Sequence, residues 1–294
     1  MDDKLRILSI GAHPADIFDQ SGGTMLHHTK RGDWVGCVVL THGARIHDKI
    51  ISDEMFHKEE VPGQEQLNQM IIERSDVKAE EARAACQLLG VNDVYFLGAD
   101  DAVLLPERPV VQKLSRLIRE LKPDVIITHF PDEGGGIWNQ HAAAGRIVML
   151  AMGLAVSVDP GDQHPPHKVA QVFYWGCGAA SLPRNVWEAR GGYYNDVFID
   201  ITDVVETKLA ALDMLVSQGY GGSYARKRIE TSDGAFGNAA HVSYAEGFIS
   251  LNAETHFCLP VSSYALEKAR KSDHEVIKGL SYKIDTEGVS ICKE

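Results

Sequence analysis

Apolar and polar positions follow two alternating periods along the first half of the chain. Residues 5–12 (LRILSIGA) form an apolar run interrupted by Arg6 and Ser9, which stops at the polar cluster His13-Pro14-Ala15-Asp16. Such a run predicts a buried strand, and Gly22-Gly23 lets a helix start close against it. Helix composition over 21–31 ends at Gly32, and the valine-rich 34–40 predicts a second strand with the polar tail Thr41-His42-Gly43-Ala44-Arg45. Residues 46–70 are charged, bear histidines and hold no steady period, which predicts a functional loop over a site. Ser75 or Asp76 is expected to cap a helix with Ala79, Ala82, Ala85, Cys86 and Leu89 on one face and Gly90 at its end. A short strand over 93–97 and a helix over 109–121, striped by Val110, Leu114, Leu117 and Leu121, come next. Val125-Ile126-Ile127-Thr128, ending at His129, reads as a strand buried on both faces.

This alternation predicts an α/β fold, a Rossmann-like three-layer sandwich with a mostly parallel central sheet. Right-handed crossovers then place all strand ends on one rim. The second half predicts strands at 169–175 and 197–201 and a helix capped by Thr202-Asp203 and running through Leu215. It also predicts a solvated helix face around Arg226-Lys227-Arg228, with attraction of an anionic substrate or a neighbouring subunit as the other use, and a Glu246 that either points to the rim or anchors a helix. A β-hairpin over 280–292 completes it as a C-terminal decoration. The whole reads as a single domain, 1–294, with a metal-site core in 1–158 and C-terminal strands, helices and hairpin in 159–294.

Composition narrows the function classes. The chain has 294 residues, 44% of them hydrophobic, enough for a sizeable core. Acidic residues outnumber basic ones 41 to 29, a formal charge of −12, which argues against a nucleic-acid partner. Five scattered cysteines without a C-x-x-C pair point to reduced thiols, no thiolate metal site and a cytoplasmic location. Asp2, Asp3 and Lys4 do not begin a signal peptide, and no apolar run approaches the ~20 residues of a membrane helix. A small-molecule substrate is expected, and homo-oligomerisation is left open.

The strand tails carry the chemistry. His13 and Asp16, three residues apart, can aim an imidazole and a carboxylate at one point; alone, the pair reads equally as a strand end with a capping Asp. Convergence on one rim adds His141, which begins a helix of small residues after Gly134-Gly135-Gly136. A His/Asp/His set leaves an open position on zinc, or on another divalent metal, as a catalytic site requires. His42, Asp132 and Glu133 are the acid-base candidates; their bland readings are a strand-end hydrogen bond and a solvated turn. Arg45, whose planar fork suits a carboxylate, Trp138 and His129 are assigned to substrate contact, with a local salt bridge as the other use of Arg45. No G-x-G-x-x-G, P-loop or G-x-S-x-G motif is present.

Ile10-Gly11-Ala12-His13-Pro14-Ala15-Asp16, Ser21-Gly22-Gly23-Thr24, Arg31-Gly32-Asp33 and Val38-Val39-Leu40-Thr41-His42-Gly43 together resemble the LmbE/PIG-L family of zinc-dependent de-N-acetylases. The likeness continues through Lys122-Pro123-Asp124 and the following strand to His141, and recurs at Tyr244-Ala245-Glu246-Gly247-Phe248. It implies that His13, Asp16 and His141 are metal ligands. It also exposes departures. Family deacetylases carry an Asp general base where this chain has Ala15, and a His that polarises the tetrahedral intermediate where it has Trp138. Ala15 instead resembles the 4-oxalomesaconate (4-carboxy-2-hydroxymuconate) hydratase branch, as do residues 172–175 and 196–209. That branch's acidic residue after the second strand is Ala44 here, and its later His is Gly178. Three functions follow: a hydrolase of an N-acyl bond, first by weight of the superfamily; a hydratase or lyase acting on an unsaturated carboxylic acid; and a non-catalytic metal-holding protein.

Overall fold

The computed structural model describes residues 4–133, 139–176 and 194–284. Seven strands form one sheet in the order β3-β2-β1-β4-β5-β7-β6. They are β1 (Arg6–Gly11), β2 (Trp34–Thr41), β3 (Asp93–Ala99), β4 (Val125–Thr128), β5 (Gln171–Trp175), β6 (Val197–Asp200) and β7 (Ala245–Ser250). Among the described strands only β7 runs against the rest, pairing antiparallel with β5 and β6. The sheet is the middle layer of the α/β sandwich that the hydrophobic pattern predicts. Helices α1 (Asp16–Arg31), α3 (Gln64–Leu88) and α6 (Val205–Asp213) bury Phe18, Met25, Cys86 and Leu209 on one face. On the other, α4 (Arg108–Leu121) and α5 (Gln140–Ala155) bury Leu114, Ile118, Ile147 and Val148.

The chain leaves β1 for β2 on one side and returns to β4 on the other, so the crevice at the carboxyl ends of β1 and β4 is the sheet's switch point, where ligands bind in such folds. His13 follows β1 and His129 follows β4. Helix α5 packs tightly enough to present its N-terminus there: a Cβ on Gly145 would stand 2.5 Å from the His129 carbonyl oxygen.

Several local expectations are corrected. Residues 46–70 are not an open loop: they hold α2 (Lys49–Phe56) and the start of α3, a 25-residue helix. The period is blurred because α3 leaves much of its first half exposed, and the start signal is Asp48, whose carboxylate accepts from the amides of Ile50 and Ile51. Ser75 lies inside α3 and bonds back to the Ile71 carbonyl. The stripe of α4 keeps Leu114 and Leu121 but buries Val111 and Ile118 in place of Val110 and Leu117. Thr202 does not cap α6; its hydroxyl accepts from the amide of Tyr244. Residues 245–250 form β7. Of the expected C-terminal hairpin, residues 285–292 lie outside the described residues, and 281–284 are irregular. No described helix is long and apolar enough to cross a membrane.

Helix α1 is broken at Ser21 (φ −146°, ψ 16°), which frees amides that a continuous helix would satisfy. Glu246 of β7 takes them, accepting from Gly23 at 2.8 Å and Thr24 at 2.7 Å. The fully buried Lys208 ammonium lies 2.8 Å from Glu246 and 2.7 Å from Asp233. Glu246 thus anchors a helix, and it ties the second half of the chain to the helix that starts beside His13.

Candidate active site

Asp16 opens α1, His13 lies in the turn before it, and His141 is the second residue of α5. Asp16 Oδ2 accepts from the His13 amide at 2.7 Å, which folds the turn so that both side chains point the same way. His13 Nδ1 stands 3.4 Å from Asp16 Oδ2, and His141 Nε2 stands 3.6 Å from Asp16 Oδ1. Donors around a tetrahedral zinc, with bonds of about 2.0–2.1 Å, are separated by roughly 3.4 Å. The Asp16 carboxylate and the two histidine nitrogens are therefore spaced to fit a divalent cation.

The other ring nitrogens decide which lone pairs are free. His141 Nδ1 donates to Glu133 Oε1 at 2.7 Å, leaving Nε2 toward Asp16. His13 Nε2 meets Gln140 Oε1 at 2.5 Å, leaving Nδ1 toward Asp16. Each candidate ligand thus has a partner that fixes its orientation, as metal-binding histidines require. Electrostatics agree with the placement. Burial opposes the charge on Asp16, but the His141, His13 and His129 imidazoles outweigh it and hold the carboxyl well below its usual range. Burial likewise opposes protonation of His141, yet Asp16 and Glu133 raise it to about 9. A cluster without a cation holds a proton in its place.

Two other groups of donors lie close together. His129, Glu133 and His141 also converge, but the His129 and His141 rings stack at 4.2 Å and 16°. Their in-plane lone pairs run parallel and cannot meet on one ion. His42, Asp100 and Asp101 form the third group. The Asp101 carboxylate is already filled by His42 and the amides of Arg45 and Ile46, and Asp100 is paired with Arg45.

The acid-base and substrate candidates are placed as follows. Glu133 is 2% exposed and bridges His129 (3.2 Å) and His141, so it supports ligands from below. His129 is 1% exposed, lies 3.0 Å from Asp16 and meets the Trp175 ring edge-on, which gives a substrate no access to it. Asp132 pairs with Arg146 at 3.2 Å. His42 and Arg45 line a separate cavity of about 780 Å3 beside Ile51, Met55 and Leu67, away from His13. Trp138 lies outside the described residues, as does Gly178.

The cleft above the triad, about 450 Å3, has two walls. One holds Ala15, Asp19 and His47; the other, from the second half of the chain, holds Gln218, Tyr220, Tyr224 and Arg228. The His47 ring stands 4.2 Å from that of His13. The cleft wall on one side and the His13 ring on the other hold its pKa below the ordinary imidazole value. Arg228 pairs with Asp19, and Arg226 with Asp213, so the basic segment is not a solvated patch. Burial pushes the Tyr220 phenol up, leaving a neutral hydrogen-bond donor. Gln218 Oε1 accepts from the Ala15 amide at 3.2 Å, and its turn is pinned to α3 because Ser217 donates to Glu81 and accepts from the buried Lys78. Of this second wall only the basic segment with Tyr224 and Arg228 carried a signal in the sequence, as an alternative contact for an anionic substrate; Gln218 and Tyr220 carried none. His47 had a weak signal, lying two residues after Arg45 in the histidine-bearing stretch.

Residues 8–152 match the PIG-L family model, described as GlcNAc-PI de-N-acetylase. A 1D-myo-inositol 2-acetamido-2-deoxy-alpha-D-glucopyranoside deacetylase of Streptomyces scabiei is 30% identical over 206 residues, covering 62% of this chain and 57% of its own length. The chain thus spans a little over half of that relative. Among solved structures, the 4-carboxy-2-hydroxymuconate hydratase GalB of Pseudomonas putida KT2440 superposes with a TM-score of 0.64 at 22% identity, covering 87% of this chain and all of GalB. The N,N'-diacetylchitobiose deacetylase of Pyrococcus horikoshii also reaches 0.64, at 20% identity, covering 85% of this chain and 84% of its own. At these identities the two structures share a fold with this chain.

Proposed function

Because this chain belongs to the PIG-L (LmbE-type) de-N-acetylase family, we propose that it is a metal-dependent hydrolase cleaving the C–N bond of a small, polar N-acyl substrate, with zinc or another divalent cation at His13, Asp16 and His141. The observation that carries this reading is the convergence of those three donors, each with its far side fixed by a hydrogen bond or a turn. When bound there, such a cation supplies Lewis acidity and lowers the pKa of water to near neutrality.

The chain's own residues do the rest. Ala15 leaves the position of the usual carboxylate base empty at the cleft wall. His47, neutral and against His13, is the cleft group placed to take a proton instead. Tyr220 on the facing wall and the Asp19–Arg228 pair that joins the two walls offer donors and acceptors to a polar substrate. Hydration of an unsaturated acid is the second reading, favoured by one observation: Ala15 removes from the cleft a carboxylate that would repel a substrate's own.

Ala15→Asp separates the two. If only the base is missing, hydrolysis of N-acetylated amino sugars rises by about two to four orders of magnitude. Wild-type hydration of an unsaturated dicarboxylate, lost in Ala15→Asp, overturns the hydrolase reading in favour of the second.

A further inference from the structure

We infer that Gln140 is the positioning residue that decides which nitrogen His13 presents to a cation. The inference rests on the metal-site reading above and deepens it. Gln140 is the first residue of α5 and immediately precedes His141. Its Nε2 donates to the backbone carbonyl of Asp101. A carbonyl only accepts, so the amide cannot flip, and Oε1 must face His13. Oε1 in turn only accepts, so the His13 Nε2, 2.5 Å away, must carry the ring proton. The neutral ring then has its lone pair on Nδ1, the atom 3.4 Å from Asp16 Oδ2.

The anchor is itself rigid. Asp101 is fully buried, and its carboxylate is held by the Arg45 and Ile46 amides (2.8–3.1 Å). One helix start supplies both functions: His141 offers its own lone pair, and Gln140 selects that of His13. The two histidines also differ in kind. Glu133 gives His141 a charged acceptor, whereas Gln140 gives His13 a neutral one.

The test combines spectroscopy with cation affinity. Long-range 15N–1H correlation on chelator-treated protein, labelled at histidine and held at a pH where the imidazoles are neutral, is expected to show His13 in a single Nε2–H form. Gln140→Met, of similar length but without an acceptor, should mix the tautomers and weaken Zn2+ binding, by competition titration, by about 10- to 100-fold. A wild-type His13 protonated on Nδ1 overturns the inference. So does a Gln140→Met variant that binds Zn2+ as tightly as wild type. Should Gln140→Met fail to fold, the wild-type spectrum still decides. Should wild type bind no Zn2+, the hydrolase reading falls while the tautomer measurement stands separately.

Discussion

At the scale of a single residue, the proposed cation site makes binding depend on pH through His141. Its pKa is raised from 6.5 to about 9 in the fold, so in cation-free protein its contribution to stability is complete below 6.5 and is lost as pH rises through about 9. The melting temperature of chelator-treated protein is expected to fall across that window, and His141→Ala should abolish the slope. Asp16 works in the opposite sense: held below the ordinary carboxylate range, it adds stability above that range and loses it on acidification. Because a cation must displace the His141 proton, its affinity should rise with pH and level off near 9. The convergence of His13, Asp16 and His141 was legible because strand ends and a helix start mark them in the sequence. The placement of Glu133 and His129 beneath them was not, because a carboxylate beside two histidines reads the same whether it faces a cleft or lies under it.

At the scale of elements, two contacts set where α1 and α5 can stand. Gly145 lets α5 approach the end of β4, and a methyl group there would meet the His129 carbonyl and the Pro131 backbone at 2.5–3.1 Å. Gly145→Ala is expected to destabilise the fold by about 1–3 kcal/mol in urea denaturation and, by shifting His141, to weaken Zn2+ binding. Glu246 caps the second segment of α1 and holds Lys208. Glu246→Ala leaves a buried ammonium and two amides short of a partner, a cost of about 3–5 kcal/mol, whereas an exposed Glu such as Glu267 should be near neutral when replaced. The strands β1, β2 and β4 were readable because buried parallel strands are continuous apolar runs. Helix α2 and strand β7 were not: the first is short and largely exposed, and the second carries the charged Glu246 on a face that tertiary partners make habitable.

On the scale of the whole molecule, the two halves of the chain do not make separate objects. Residues 8–152 carry the family match and the candidate ligands, yet β5 and β7 complete the sheet beside β4, and Gln218, Tyr220 and Arg228 supply the facing wall of the cleft. A fragment of residues 1–158 is therefore expected to show no cooperative thermal transition, whereas an independently folding core would melt sharply. The sequence pattern announced the sandwich because each βα unit is local. It did not announce Gln218 and Tyr220, because those residues reach the cleft through packing that no spacing along the chain encodes. The most direct measurement of the central claim is the Zn2+ stoichiometry and affinity of chelator-treated protein, compared with His13→Ala, Asp16→Ala and His141→Ala variants that keep the wild-type circular dichroism spectrum. One tightly bound ion per chain, lost in each variant, is the predicted result. A wild-type protein that binds no divalent cation, or variants that hold it as tightly as wild type, would contradict the assignment.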